Sequence, residues 1–172
     1  KYPRELAGEY YPQGIPIYPE TDLVALIKKL DIEDVYFAYS DVRHTYIMDK
    51  ASEVMAAGAN FILLGPRETM IKSSKPVVSV CAVRTGCGKS QTTRRVSQIL
   101  IAMGKKAAAI RHPMPYGDLV AQKVQKSVTK ADLLKHKCTI EEMEEYEPHI
   151  ENGVIVFAGV DYGAILREAE KV

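Results

Sequence analysis

Residues 76–90 read Pro76-Val77-Val78-Ser79-Val80-Cys81-Ala82-Val83-Arg84-Thr85-Gly86-Cys87-Gly88-Lys89-Ser90, an apolar run that enters a glycine turn and then a helical pattern. The end of the stretch matches the phosphate-binding loop G-x-x-x-x-G-K-[ST], except that Val83 stands where that pattern begins with glycine. A strand that ends in such a turn and feeds a helix aims backbone N–H groups at one point, and the helix dipole adds positive potential there. Glycine at 86 and 88 lets the backbone approach phosphate oxygens, Lys89 reaches the β and γ phosphates, and the Ser90 hydroxyl is placed to hold Mg²⁺. At ordinary glycine frequency G-x-G-K-[ST] arises by chance in about one chain of this length in a hundred, so the stretch reads as a nucleotide site. Thr85, Gly86, Cys87, Gly88, Lys89, Ser90 and Gln91 are the expected nucleotide-binding residues, for ATP or GTP.

The chain around this loop has 172 residues, 47% of them apolar, enough to bury a core in one domain or two small ones. Basic and acidic residues number 23 and 22, so no net field draws the molecule to nucleic acid or to a membrane. The apolar runs are far shorter than a bilayer span and no charged-then-apolar leader opens the chain, which leads us to expect a cytoplasmic protein. Cys81, Cys87 and Cys138 form no C-x-x-C pair, so neither a structural disulfide nor a zinc site is expected. The expected partner is a small phosphorylated substrate, and a homo-oligomer is compatible with the composition.

Upstream, Leu23, Leu26, Ile27 and Leu30 repeat at helical spacing, and Lys28 and Lys29 close that helix as the dipole prefers. Residues 35–39 read as a strand, Ile47, Ala51, Val54, Met55 and Gly58 as one helix face, and residues 60–64 as a second strand. Strand–helix alternation implies an α/β fold with a parallel sheet covered on both faces, three layers in all. The polar stretch 72–76 contains a proline and marks the expected junction between a domain at 1–74 and another at 75–172.

In the second half, residues 76–83 read as a central strand. Val96, Ile99, Leu100 and Met103 read as the buried stripe of the next helix, with Gly104 ending it. Residues 106–110 and 154–160 are expected strands, and 118–124, 130–136 and 161–171 expected helices. Thr139 with Glu142 forms a capping-box pattern. Thr129-Lys130-Ala131-Asp132 fits the guanine-reading [NT]-K-x-D pattern, but it follows a helix instead of a buried strand, so Thr129 as a helix cap explains it better.

The loop Arg111-His112-Pro113-Met114-Pro115-Tyr116-Gly117-Asp118 follows the 106–110 strand, at the carboxyl edge where open α/β sheets bind ligands. Arg111 can clamp a phosphate or carboxylate, His112 can transfer a proton, and Asp118 can hold Mg²⁺ through water or cap the following helix. Ser40 and Asp41 occupy the equivalent strand end in the first half, with Asp41 read as a helix cap. His136 and His149 have no partner at metal-ligand spacing and are expected to be solvated. Glu141, Glu142, Glu144, Glu145 and Glu147 are expected on an exposed helix face.

Residues 75–80, the loop and helix start at 83–94 and the stretch 111–119 together resemble the cyclic 2,3-diphosphoglycerate synthetase family, whose members are often labelled GTPases. Residues 36–44, 58–66 and 141–161 resemble it as well, so the likeness covers nearly the whole chain. It implies a Rossmann-like partial domain followed by a P-loop NTPase domain of the class that includes dethiobiotin synthetase. It also implies further chain on both sides of this sequence. The implied activity is ATP-dependent closure of 2,3-bisphosphoglycerate into an intramolecular phosphoanhydride. Lys89, Arg84, Arg111 and His112 would be the catalytic residues, neutralising charge or moving protons, with Mg²⁺ on Ser90 and Asp118. The alternatives are a GTPase or an ATP-dependent ligase or kinase acting on another small phosphorylated metabolite, because a phosphate loop says little about the acceptor.

Overall fold

The structure is a computed structural model that describes residues 1–39, 42–82, 86–111 and 117–172. It is a mixed α/β arrangement with two small sheets, divided into two compact units. One unit contains Lys1 and Pro16–Ile71, the other Tyr2–Ile15 and Lys72–Val172.

In the first unit, a 3-10 turn at Glu20–Asp22 leads into α1 (Leu23–Leu30), which stops at Asp31 in the left-handed conformation. β1 (Asp34–Phe37) and β2 (Asn60–Leu63) pair in parallel, with α2 (His44–Ala56) as the crossover and α3 (Pro66–Thr69) after β2. The apolar faces read from periodicity supply the core only in part: Ile27, Val54 and Ala59 are buried, with Leu23, Val35 and Phe61 packed against them, while Leu30 and Met55, expected on the same faces, are exposed. Glu20 ties the 3-10 turn to α2 through the Lys50 ammonium at 2.8 Å.

The second unit is built on the sheet β3-β5-β4. β3 (Ala108–Arg111) runs parallel to β5 (Ile155–Ala158), and β4 (Gln125–Ser127) runs antiparallel to it. Helices α4 (Lys89–Ala102), α5 (Lys130–Lys135), α6 (Ile140–Glu151) and α7 (Tyr162–Ala169) complete the unit. Leu133, Tyr146, Val156 and Ala158 form its core, with Cys138, Met143 and Ile150 against them. The capping boxes at Thr129–Asp132 and Thr139–Glu142 are both formed, and Gly104 follows α4 with φ 72.

Several expectations are corrected here. The all-parallel arrangement fails at β4, whose residues Gln125, Lys126 and Ser127 carry no apolar alternation and so gave no strand signal. Residues 76–82 join no ladder, and Val77 and Val78 are 65% and 63% exposed. An apolar run has strand character only where neighbours cover it, and the three-stranded sheet ends at β3 without recruiting this run. Residues 118–124 form turns instead of a helix: Asp118 Oδ1 caps the start, accepting from the amides of Val120 at 3.0 Å and Ala121 at 3.1 Å, but the Gln122 and Lys123 carbonyls accept from the Val160 and Asp161 amides instead of from a following helical turn. The buried residue of α4 is Ser97, whose hydroxyl bonds back to the Thr93 carbonyl at 2.9 Å. Ile99 and Met103, expected inside, are exposed. No described helix is long and apolar enough to cross a membrane.

Candidate functional site

The glycine turn reaches α4 through two left-handed residues, Gly86 at φ 81 and Gly88 at φ 88. Gly88 occupies the N-cap of α4, and a residue without a side chain supplies no capping acceptor. The first-turn N–H groups of a helix have no intrahelical partner, so this start is suited to an anion supplied from outside the chain. A Cβ at Gly86 would meet nothing within 4 Å, so the demand for glycine there comes from the backbone angle. Lys89 is exposed, Ser90 half-buried and Gln91 exposed, all in the first turn of α4. Arg84, Thr85 and His112 lie outside the described residues, as do Ser40 and Asp41.

Lys89 to Gln91 are brought together by one helical turn; Arg111 is the last residue of β3. Its Nη2 pairs with Glu145 of α6, and burial lowers its pKa. Asp118 is exposed and uses Oδ1 in its turn, as a local cap does. Among the described residues no three His, Cys, Asp or Glu side chains gather into a metal site.

Two residues expected on the surface are buried. Glu142 belongs to the capping box of α6, its Oε2 accepting from the Thr139 amide at 2.9 Å. His149 is 1% exposed; burial holds its pKa below the ordinary value, and Arg111 and Arg94 add to the effect. Tyr146, one turn earlier on α6, is 2% exposed with its pKa raised, first by burial and then by Glu142. The signal that could have found them is spacing. Met143, Tyr146 and Ile150 recur at three and four residues and mark the inner face, with His149 beside it.

The approach to the loop is anchored within the same unit. Glu170 Oε1 accepts from the Ser73 hydroxyl at 3.1 Å and the Ser74 amide at 2.6 Å, while Arg167 donates to the Lys72 carbonyl at 2.7 Å. The Arg167–Glu170 ion pair, at 2.6 Å, holds the two side chains together.

No family model matches the chain, and no solved structure matches it. Over 170 residues it is 65% identical to the arginine synthetase ArcE of Thermococcus kodakarensis, an alignment that takes in 99% of this chain and 38% of that protein. The chain therefore spans well under half the length of the curated relative it matches, and is homologous to part of a synthetase.

Proposed function

We propose that this chain is the nucleotide-binding portion of an ATP-dependent ligase that acts on a small metabolite, with arginine as the first product to test. The observation that carries the reading is the 65% identity to a synthetase over nearly the whole chain, an extent that includes the Gly86–Ser90 turn. The turn itself supports nucleotide binding: its left-handed glycines open onto a helix start whose N-cap, Gly88, has no side chain to cap it. Lys89 and Ser90 stand in the first turn, where they would meet a triphosphate and its Mg²⁺. The P-loop and Rossmann-like layout belongs to this proposal, as do the domain limits at 1–74 and 75–172.

In such a ligase the γ-phosphoryl bond to ADP breaks as a bond to an acceptor oxygen forms. A nitrogen nucleophile then displaces that oxygen as phosphate, leaving a carbon–nitrogen bond, ADP and phosphate. Both steps gather negative charge, which Lys89 and the helix N–H groups would neutralise. This acceptor differs from the 2,3-bisphosphoglycerate implied by the sequence resemblance. The name of the relative favours the ligase.

Because that name specifies only a product, the reverse direction is the assay whose ingredients are known. Full-length protein would be incubated with Mg²⁺, arginine, phosphate and either ADP or GDP, and nucleoside triphosphate formation followed by phosphorus NMR. Arginine-dependent ATP formation that Lys89→Ala abolishes supports the reading. Nucleotide binding with no arginine dependence overturns it, and a parallel incubation with ATP and 2,3-bisphosphoglycerate would then show whether a cyclic phosphoanhydride forms instead.

A further inference from the structure

We infer that Arg111, Tyr146 and His149 form a buried subsite for a small oxyanion, built from residues other than those of the glycine turn and independent of the ligase reading. Arg111 Nε, the Tyr146 hydroxyl and His149 Nδ1 are all buried without a hydrogen-bond partner among the described residues. Native proteins leave few buried polar atoms unsatisfied, and the exceptions usually mark a water, an ion or a ligand.

The three groups belong to one locality. Tyr146 and His149 stand three residues apart on α6, so they project from the same side of the helix. Glu145, adjacent to Tyr146 and one turn before His149, brings the Arg111 guanidinium to that helix through Nη2 and leaves Nε unused. Arg111 acts electrostatically on both Tyr146 and His149, and Arg94 of α4 acts on His149 as well.

The donor set selects the ligand. Guanidinium Nε and a phenol both donate, and an imidazole donates from Nδ1 in one of its neutral tautomers. Two arginines supply positive charge, opposed by Glu145 at the Arg111 pair and by Glu142 near Tyr146. A cation would find donors where it needs acceptors; a carboxylate or phosphate finds what it needs. The Glu145 side chain is 44% exposed, so the ion pair with Arg111 reaches the surface and offers a way in for an anion that competes for the guanidinium.

The test uses full-length protein with ¹⁵N-labelled histidine, titrated at fixed pH and ionic strength with inorganic phosphate and, separately, with acetate. A saturable displacement of the His149 imidazole resonance is expected. Response to phosphate alone identifies a phosphoryl group as the natural ligand, and response to acetate as well identifies a carboxylate. Tyr146→Phe, which removes only the hydroxyl, should weaken the response about tenfold, the worth of one hydrogen bond to a charged group. Lys89→Ala should leave it intact while weakening nucleotide binding measured in parallel, so that the two sites succeed or fail separately. The inference is overturned if neither anion shifts His149, as an internal water would predict. It is equally overturned if the shift disappears in Lys89→Ala, because the anion would then be reporting the glycine turn.

Discussion

Asp132 Oδ2 accepts from the Thr129 amide at 2.8 Å and from the Thr129 hydroxyl at 2.9 Å, while that same hydroxyl oxygen accepts from the Asp132 amide at 3.4 Å. The pair is committed to starting α5. Three donors, the Val128 amide, the Thr129 amide and the Thr129 hydroxyl, converge on one oxygen of that carboxylate and fix it as a cap, despite the guanine-like motif. Asp132→Asn should therefore leave the ATP-to-GTP affinity ratio unchanged in a competition titration; a loss of selective GTP binding would restore the motif.

The same carboxylate makes a pH prediction. The Val128 and Thr129 amides, then the Thr129 hydroxyl, hold its pKa below the ordinary 3.8. A depressed folded pKa gives stability that is present above 3.8 and lost as the pH falls through the folded value. The urea midpoint of the wild type should exceed that of Asp132→Asn at pH 6, and the gap should close on acidification below 3.8.

His149 works in a higher range. Its pKa is depressed by burial first and by Arg111 and Arg94 next, so the unfolded chain takes up a proton at 6.5 while the folded protein stays neutral. Stability attributable to His149 is full above 6.5 and declines as the pH falls from there toward the folded value. Melting temperatures of the wild type and His149→Gln, compared between pH 7.5 and 5, should show a steeper fall for the wild type. Parallel curves would contradict the burial.

Gly159 follows β5 at φ 152, and a Cβ there would lie 2.5 Å from the Lys123 carbonyl oxygen and 2.8 Å from that of Gln122. These carbonyls accept from the amides of Asp161 and Val160, so neither can withdraw without breaking a bond. Gly159→Ala should cost about 2 kcal/mol or more, read from urea unfolding. By contrast, Gly86→Ala meets no atom and should cost about 1 kcal/mol through its backbone angle alone.

Cys138 is packed against the core of the second unit, and burial followed by Glu142 pushes its thiol pKa up to about 11. Cys81 and Cys87 are exposed. Because the thiolate is the reactive form, iodoacetamide at pH 8 should label Cys138 last, as followed by peptide mass spectrometry. Early labelling at 138 would mean that α6 does not cover it.

Where side-chain spacing alone determines structure, the sequence was informative. The helix at α1, the strands of the first sheet, the Thr139–Glu142 capping box and the Thr129 cap follow from local chemistry, and the structure contains them. β4 was hidden because its buried Gln125 and Ser127 are polar, and only pairing with β5 makes them a strand. Residues 76–82 erred in the opposite direction, since an apolar run reports capacity for burial and not the presence of a covering neighbour. At the candidate site, the glycine turn was legible because left-handed backbone needs glycine. The Arg111, Tyr146 and His149 grouping was not, because it unites a strand end with a helix face far along the chain.

The contacts of Arg167 and Glu170 with residues 72–74 give α7 a role in timing. The Ser74 amide can exchange with solvent only when its bond to Glu170 opens. Its exchange rate is therefore a clock for fraying at the end of α7, read from the segment that leads toward the glycine turn. A perturbation in the last helix would be heard first at Ser74, nearly a hundred residues earlier in the chain and a short run before Gly86.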